Sequence, residues 1–207
     1  METVTRISGW VEYRDNSGRW RPALRIEDLG NEGRPYNLFG LFFGVRNYTG
    51  FSPVAGVRGL PDDASEYVRE VFEGGKGRFN SPSFITLAEL KGIKFSHLKK
   101  KLDHFPHFYR EEDGQEVLAK VSLSDFEERA LLEGKVVKKG PVVVRREGIR
   151  RKDILTKGWL VIAGIMEALS TSYSGEENVR AVVWFSEEAS ERGKTPRTAP
   201  HSGYPRN

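Results

Sequence analysis

Residues 154–188 read ILTKGWLVIAGIMEALSTSYSGEENVRAVVWFSEE, and this one stretch sets the fold class. Its first part, Ile154 to Tyr173, is apolar over a length that suits a helix, with Leu155 to Leu169 as the packing segment. Its second part, from Asn178, is a β-branched and aromatic run, the strongest strand signal in the chain and one suited to a central position. A long apolar helix beside a central strand predicts an α+β fold, a single domain with an antiparallel or mixed sheet packed against that helix. The apolar run Trp159 to Met166 is bounded by Lys157 and Glu167 and is far shorter than the ~20 residues a bilayer crossing needs, so it reads as a buried core helix and no membrane partner is expected.

Outward from this pair the pattern stays mixed. RISGWVEYRDNSGRWRPALRI, Arg6 to Ile26, alternates large and polar residues on either side of Asn16-Ser17-Gly18 and reads as a β-hairpin. Asp28 to Pro35 is a polar loop. YNLFGLFFGVRN, Tyr36 to Asn47, is a core segment readable as helix or strand, since Leu38, Leu41, Phe42 and Val45 make a helical stripe while Gly40 and Gly44 weaken one. Asn47 to Leu60 is a loop leading into RGLPDDASEYVREVF, Arg58 to Phe72, whose Ala64, Tyr67, Val68, Val71 and Phe72 recur at helical spacing. The glycines after Glu73 end that helix, GRFNSPSF from Gly77 is a loop, and Thr86 to Lys91 a short helix. Ser96 to Phe105 can add a helix. HLKKKLDHFPHFYREEDGQE, from His97, is charged and Pro-broken and reads as an exposed excursion. LSDFEERALLEG from Leu123 is an amphipathic helix with Ser124 or Asp125 at its start, and GPVVVRREGI from Gly140 is strand-like. Residues 187–207 are Pro-, Gly- and polar-rich and read as a disordered tail, which leaves 1–186 as the globular domain.

Composition narrows the chemistry. With 207 residues, 38% hydrophobic and 11% aromatic, the chain can close one core. The absence of cysteine excludes disulfides, thiolate metal sites and thiol nucleophiles, and METVTRISGWVEYR carries no signal-peptide pattern, so an intracellular life is expected. His104 and His107 are three apart, but Pro106 lies between them and no metal motif surrounds them, so no metal is expected. Neither the phosphate loop, the dinucleotide fingerprint nor Gly-x-Ser-x-Gly occurs, so no cofactor is predicted and no catalytic residue is assigned.

Asp62 and Asp63 are adjacent and point apart, which suits helix capping better than acid/base pairing. The polar residues flanking the short helix are more suggestive. Arg46, Asn47, Tyr48, Arg58, Asp62, Arg78, Asn80, Ser81 and Ser83 are the candidate ligand-binding set, because arginine offers a planar donor fork to phosphate while serine and asparagine add neutral donors. A solvated surface would look the same in composition. Net charge is +4, yet Lys135, Lys138, Lys139, Arg145, Arg146, Arg150, Arg151 and Lys152 stand against the single acid Glu147 within 135–152. That segment is either a nucleic-acid-binding edge or a protective charged sheet edge; aromatics are not interleaved as base stacking requires.

Four strings, YNLFGLFFGVRN, RGLPDDAS, SPSFITLAEL and NVRAVVWF, together resemble a family of uncharacterised proteins common in bacteriophages and prophages. Members share an aromatic-apolar segment ending in Val-Arg-Asn, a Gly-Leu-Pro-Asp-Asp turn, a Ser-x-Ser-aromatic-x-Thr-Leu-x-Glu-Leu segment and a terminal Val-Arg-x-Val-x-Trp-Phe strand. The likeness covers most of Tyr36 to Leu90 plus Asn178 to Phe185. The family pattern often has His where this chain has Asn80, and Asp-Asn where it has Ser186-Glu187. The resemblance implies a phage accessory protein of the host cytoplasm, of a kind often devoted to anti-defence. Its small anionic partner would be a phosphorylated nucleotide signal, sequestered or cleaved; for cleavage Asp62, Glu89 or a histidine would be the base. The alternatives are nucleic-acid binding through 135–152 and inhibition of a host protein, and a homo-oligomer is compatible with either.

Overall fold

The computed structural model describes residues 3–31, 35–75, 77–98, 101–112, 115–119, 121–173 and 175–189. Along the chain these form β1 (Thr3–Arg14), β2 (Trp20–Arg25), α1 (Glu27–Gly30), α2 (Tyr36–Phe43), α3 (Glu66–Gly74), β3 (Asn80–Thr86), α4 (Leu87–Lys91) and α5 (Phe95–Leu98). Then follow β4 (His107–Glu112), β5 (Gln115–Leu118), α6 (Asp125–Leu132), β6 (Val137–Lys139), β7 (Val142–Arg145), α7 (Arg151–Ile154), α8 (Lys157–Ser172) and β8 (Val179–Ala189). The fold is α+β, with two antiparallel sheets in the orders β2-β1-β8-β3 and β5-β4-β7-β6.

The first sheet joins the two ends of the chain. β8 sits between β1 and β3, the central place its β-branched, aromatic sequence predicts, and pairs with β1 from Thr3↔Ala189 to Tyr13↔Val179. Because strand side chains alternate, β8 feeds two cores at once. Val179, Ala181, Val183 and Phe185 join Ile7, Val11, α2 and α8 in the larger core, while Val182 and Trp184 pack with Val68 of α3 on the opposite face. α8 buries Trp159, Ile162 and Met166 in the larger core. It lies so close to α1 that a Cβ on Gly158 would stand 2.0 Å from the Leu29 carbonyl oxygen, and the Trp159 Nε1–H donates to the Gly30 carbonyl at 3.1 Å.

The structure resolves one ambiguity and corrects several expectations. Tyr36 to Phe43 is a helix, buried almost throughout, so burial outweighs the weak propensity of Gly40. The apolar run from Ile154 is broken: Thr156 caps α8, its hydroxyl accepting from the Trp159 N–H, and Ile154 belongs to the short α7. The polar loop after β2 opens with the single turn α1. GRFNSPSF is a loop only to Phe79, since Asn80 begins β3 against β8; Pro82 is tolerated because β3 is an edge strand with a register shift there. The expected excursion after His97 instead supplies β4 and β5 of the second sheet, and of the expected Ser96–Phe105 helix only α5 forms, while 99–100 lie outside the described residues. β8 continues through Ala189, so Glu187 and Glu188, assigned to the tail, are strand residues; 190–207 lie outside the described residues. Asp62 and Asp63 do not cap α3: the cap is Ser65, whose hydroxyl accepts from the Val68 N–H.

Candidate ligand groove

The segment between α3 and β3 is shaped by an aromatic cluster. Phe72, at the end of α3, and Phe79 lie 5.4 and 5.5 Å from the ring of Trp184 on β8. Phe79 folds back so tightly on the helix end that a Cβ on Gly75 would stand 1.9 Å from its ring, a contact only glycine admits. This anchors one wall of a groove of about 510 Å3, lined by Ser8, Gly77, Arg78, Phe79, Asn80, Ser186, Glu187 and Glu188. Register explains the convergence, because Asn80 pairs with Phe185, Ser186 with Arg6, and Ser8 with Trp184. Residues more than a hundred positions apart thus meet at one end of the sheet.

The electrostatics of the groove are asymmetric. Both lining carboxylates are already neutralised: Glu187 accepts from Arg46 Nη2 at 2.6 Å and from the Thr5 hydroxyl at 2.8 Å, and Glu188 accepts from Arg6 Nε at 2.7 Å. Burial pulls the Arg46 guanidinium down in pKa, but the bonds to Glu187 and Tyr48 outweigh it and hold the group above its ordinary value. Arg78 is exposed and meets no carboxylate among the described residues; its guanidinium carbon lies 5.8 Å from the centre of the Phe79 ring. The uncompensated charge of the groove is therefore cationic. Around it, the side chains of Ser8, Asn80, Ser81 and Ser186 make no hydrogen bond to another described residue, and the buried Nε1–H of Trp184 meets no acceptor.

Backbone strain marks the same place. Among the described residues, Arg46 at φ 50° and Ser81 at φ 49° are the two non-glycine residues with left-handed backbone. Such a conformation costs on the order of 1–3 kcal/mol and clusters at functional sites. Ser81 lies in the register shift of β3 between Asn80 and Ser83, and Arg46 reaches Glu187 at the groove.

The other candidates have structural places. Asn47 closes its own loop, bonding both the N–H and the carbonyl of Phe51 at 2.8 Å. Tyr48 accepts from Arg46 and stacks on His104, whose pKa burial and Arg146 lower, at 5.1 Å. Arg58 binds Glu89 at 2.7 Å and the Val54 carbonyl at 3.0 Å, and for Glu89 that pairing and the Thr86 cap outweigh burial and hold the carboxyl below its usual range. Ser83 is buried and donates to the Gly56 carbonyl. Asp62 is exposed, its carbonyl accepting from Arg69 at 2.6 Å. So Arg78 and Asn80 line the groove, Arg46 reaches it through Glu187, and Asn47, Tyr48, Arg58, Asp62, Ser81 and Ser83 do not line it, Ser81 following Asn80 in the register shift of β3. Ser8 also lines the groove though no signal in the sequence marks it, and Ser186 and Glu187 stand out in the sequence only as departures from a motif.

The companion aspartate is the more consequential one. Asp63 accepts from Arg180 Nη1 at 2.7 Å, Trp20 Nε1 at 2.8 Å and Arg14 Nη2 at 3.1 Å; the Arg180 and Trp20 bonds overcome burial and lower its pKa. It borders a second opening of about 570 Å3 lined by Arg14, Arg19, Trp20 and Arg21, but Arg14 and Arg21 are held by Asp63 and Asp15, and Arg19 by Ser17. The basic segment is similarly committed. Lys135 pairs with Glu133, Lys139 with Glu127, Arg145 with Glu116 and Glu147, and Arg150 with Glu147, while Arg146 donates to the carbonyls of Asp103, Leu132 and Leu102.

No helix among the described residues is long and apolar enough to cross a membrane, and among them no three His, Asp or Glu side chains gather as metal ligands. No family model, curated protein or solved structure matches the chain.

Proposed function

We propose that the groove between β3, β1 and β8 holds a small phosphorylated nucleotide, and that the protein is a phage accessory factor which sequesters such a signal in the host cytoplasm. The observation that carries this reading is the guanidinium of Arg78, which meets no carboxylate among the described residues, in a groove whose two acids are neutralised by Arg46 and Arg6. An arginine in that state offers its donor fork to a phosphate. Asn80, Ser8 and Ser186 would supply neutral hydrogen bonds, and the Phe79 ring a flank for the base. At about 510 Å3 the groove is of nucleotide size. The positions where this chain departs from the phage-protein pattern, Asn80 and Ser186-Glu187, line this same groove, so any His- or terminal-carboxylate-dependent chemistry of that pattern does not carry over to it. Sequestration is favoured over cleavage because no imidazole lines the groove and both carboxylates are ion-paired, which leaves no ready base. Nucleic-acid binding through 135–152 draws less support, given how much of that charge is spent internally.

Thermal denaturation against ADP-ribose and a panel of cyclic dinucleotides, followed by chromatography of the recovered ligand, tests the reading. Ligand at a hundredfold excess over Kd stabilises by about 2.7 kcal/mol, a shift of several degrees for a chain of this size. We expect such a shift with one of these ligands, intact recovery, and affinity reduced about tenfold or more in Arg78→Ala, the loss of a charge-assisted bond. Recovery as product would make the protein an enzyme, and no shift with any of them, or an equal shift in Arg78→Ala, would overturn the proposal.

A further inference from the structure

The outer face of α8 carries a pattern that packing within the chain does not use. Lys157, Leu160, Val161, Gly164, Glu167, Ala168 and Thr171 recur at three- and four-residue spacing and are all exposed, Leu160 by 47% and Val161 by 49%. Gly164 is the telling member. Mid-helix glycine is unfavourable, and here a Cβ would meet nothing within 4 Å, unlike Gly158 one and a half turns earlier, where the Leu29 backbone forbids one. No neighbour among the described residues therefore needs Gly164 to be small. Lys157 and Glu167 form no ion pair among the described residues; Glu167 stands near Lys91, whose ammonium is held by Glu176.

We infer that α8 docks against α8 of a second copy of this chain, antiparallel, about a two-fold axis that crosses the outer face of the helix at the height of position 162, between Leu160 and Gly164. In that register Leu160 lies opposite the partner's Gly164, where the missing side chain leaves a hole for it and lets the helices approach to the short end of the ~8–10 Å range. The same register sets Lys157 opposite the partner's Glu167, and symmetry makes each contact twice. Charge complementarity and the apolar knob thus select the same partner: a copy of this chain, whose own sequence supplies both halves. The inference does not rest on the ligand groove, which involves other elements.

Sedimentation equilibrium of the full chain over a micromolar concentration series tests it. We expect a species of twice the 23.5 kDa chain mass. Gly164→Gln, which has room in the single chain, should fold normally by circular dichroism with its melting temperature in the dilute monomer unchanged or raised, yet weaken dimerisation about tenfold or more. Lys157→Glu and Glu167→Lys should each weaken it, and the double reversal should restore it. A chain that stays monomeric across the series would overturn the inference, because the face would then serve a different protein or none. A dimer indifferent to Gly164→Gln and to the charge exchanges would overturn it equally, placing the interface elsewhere.

Discussion

At the scale of single residues, Arg180 does the most to tie the fold together. It is buried on β8, donates through Nε and Nη2 to the fully buried Glu12 at 3.1 and 3.0 Å, and lies 3.7 Å over the Trp20 ring. Glu12 spends its other oxygen on the Ser65 N–H at 2.9 Å, so one carboxylate joins β1, β8 and the start of α3. Removing the cation strands a buried anion, a loss of ~3–5 kcal/mol. Arg180→Ala should therefore lower the urea-derived unfolding free energy by about that much, with Glu12→Gln in the same chain restoring part of it; a loss under ~1 kcal/mol would show that water reaches Glu12. Little of this is legible in the sequence. Arg180 stands in the Val-Arg-x-Val-x-Trp-Phe motif, but nothing in that run tells a buried arginine from an exposed one, and its partners lie 168 and 117 positions away. The Asp62-Asp63 pair drew attention for capping, a local property, whereas Asp63 acts through long-range contacts.

At the scale of elements, α3, α4, α6, the body of α8 and the central strand are legible because their signals are local, whereas α2 reads equally as strand and the short α1 and α7 carry no signal of their own. The start of α6 near Ser124 or Asp125, the stop after α3 and the apolar length of α8 all follow from spacing along a few turns, and the structure assigns the cap to Ser124 with Glu127. β3 was not readable, since Pro82 and two flanking serines spell a loop and only its pairing with β8 makes it a strand. β4 and β5 were missed because charge on half-exposed strands hides their alternation, as in His107–Glu112. The seating of α8 on α1 depends on Gly158. Gly158→Ala drives a methyl into the Leu29 backbone, and overpacking of that kind costs ~1–3 kcal/mol even though alanine is the better helix former. Chemical denaturation should report a destabilised variant, and a variant at least as stable as the parent would mean that α1 yields at no cost.

At the scale of the whole molecule, the α+β class and the packing of the sheet against α8 follow from the sequence, while the split into two sheets does not. The candidate groove lies at the junction of β1, β8 and β3, strands far apart along the chain, which is why only Arg78 and Asn80, on its one contiguous wall, are legible along the sequence. An amide chemical-shift titration of the isotope-labelled chain with ADP-ribose and then the cyclic dinucleotides tests the groove most directly. If the groove is the ligand site, perturbations should saturate with one of these ligands and gather at Ser8, Gly77, Arg78, Asn80, Ser81 and Ser186, with the Trp184 indole N–H moving alongside them. Perturbations confined to the basic segment 135–152, or none with any of these ligands, would contradict it.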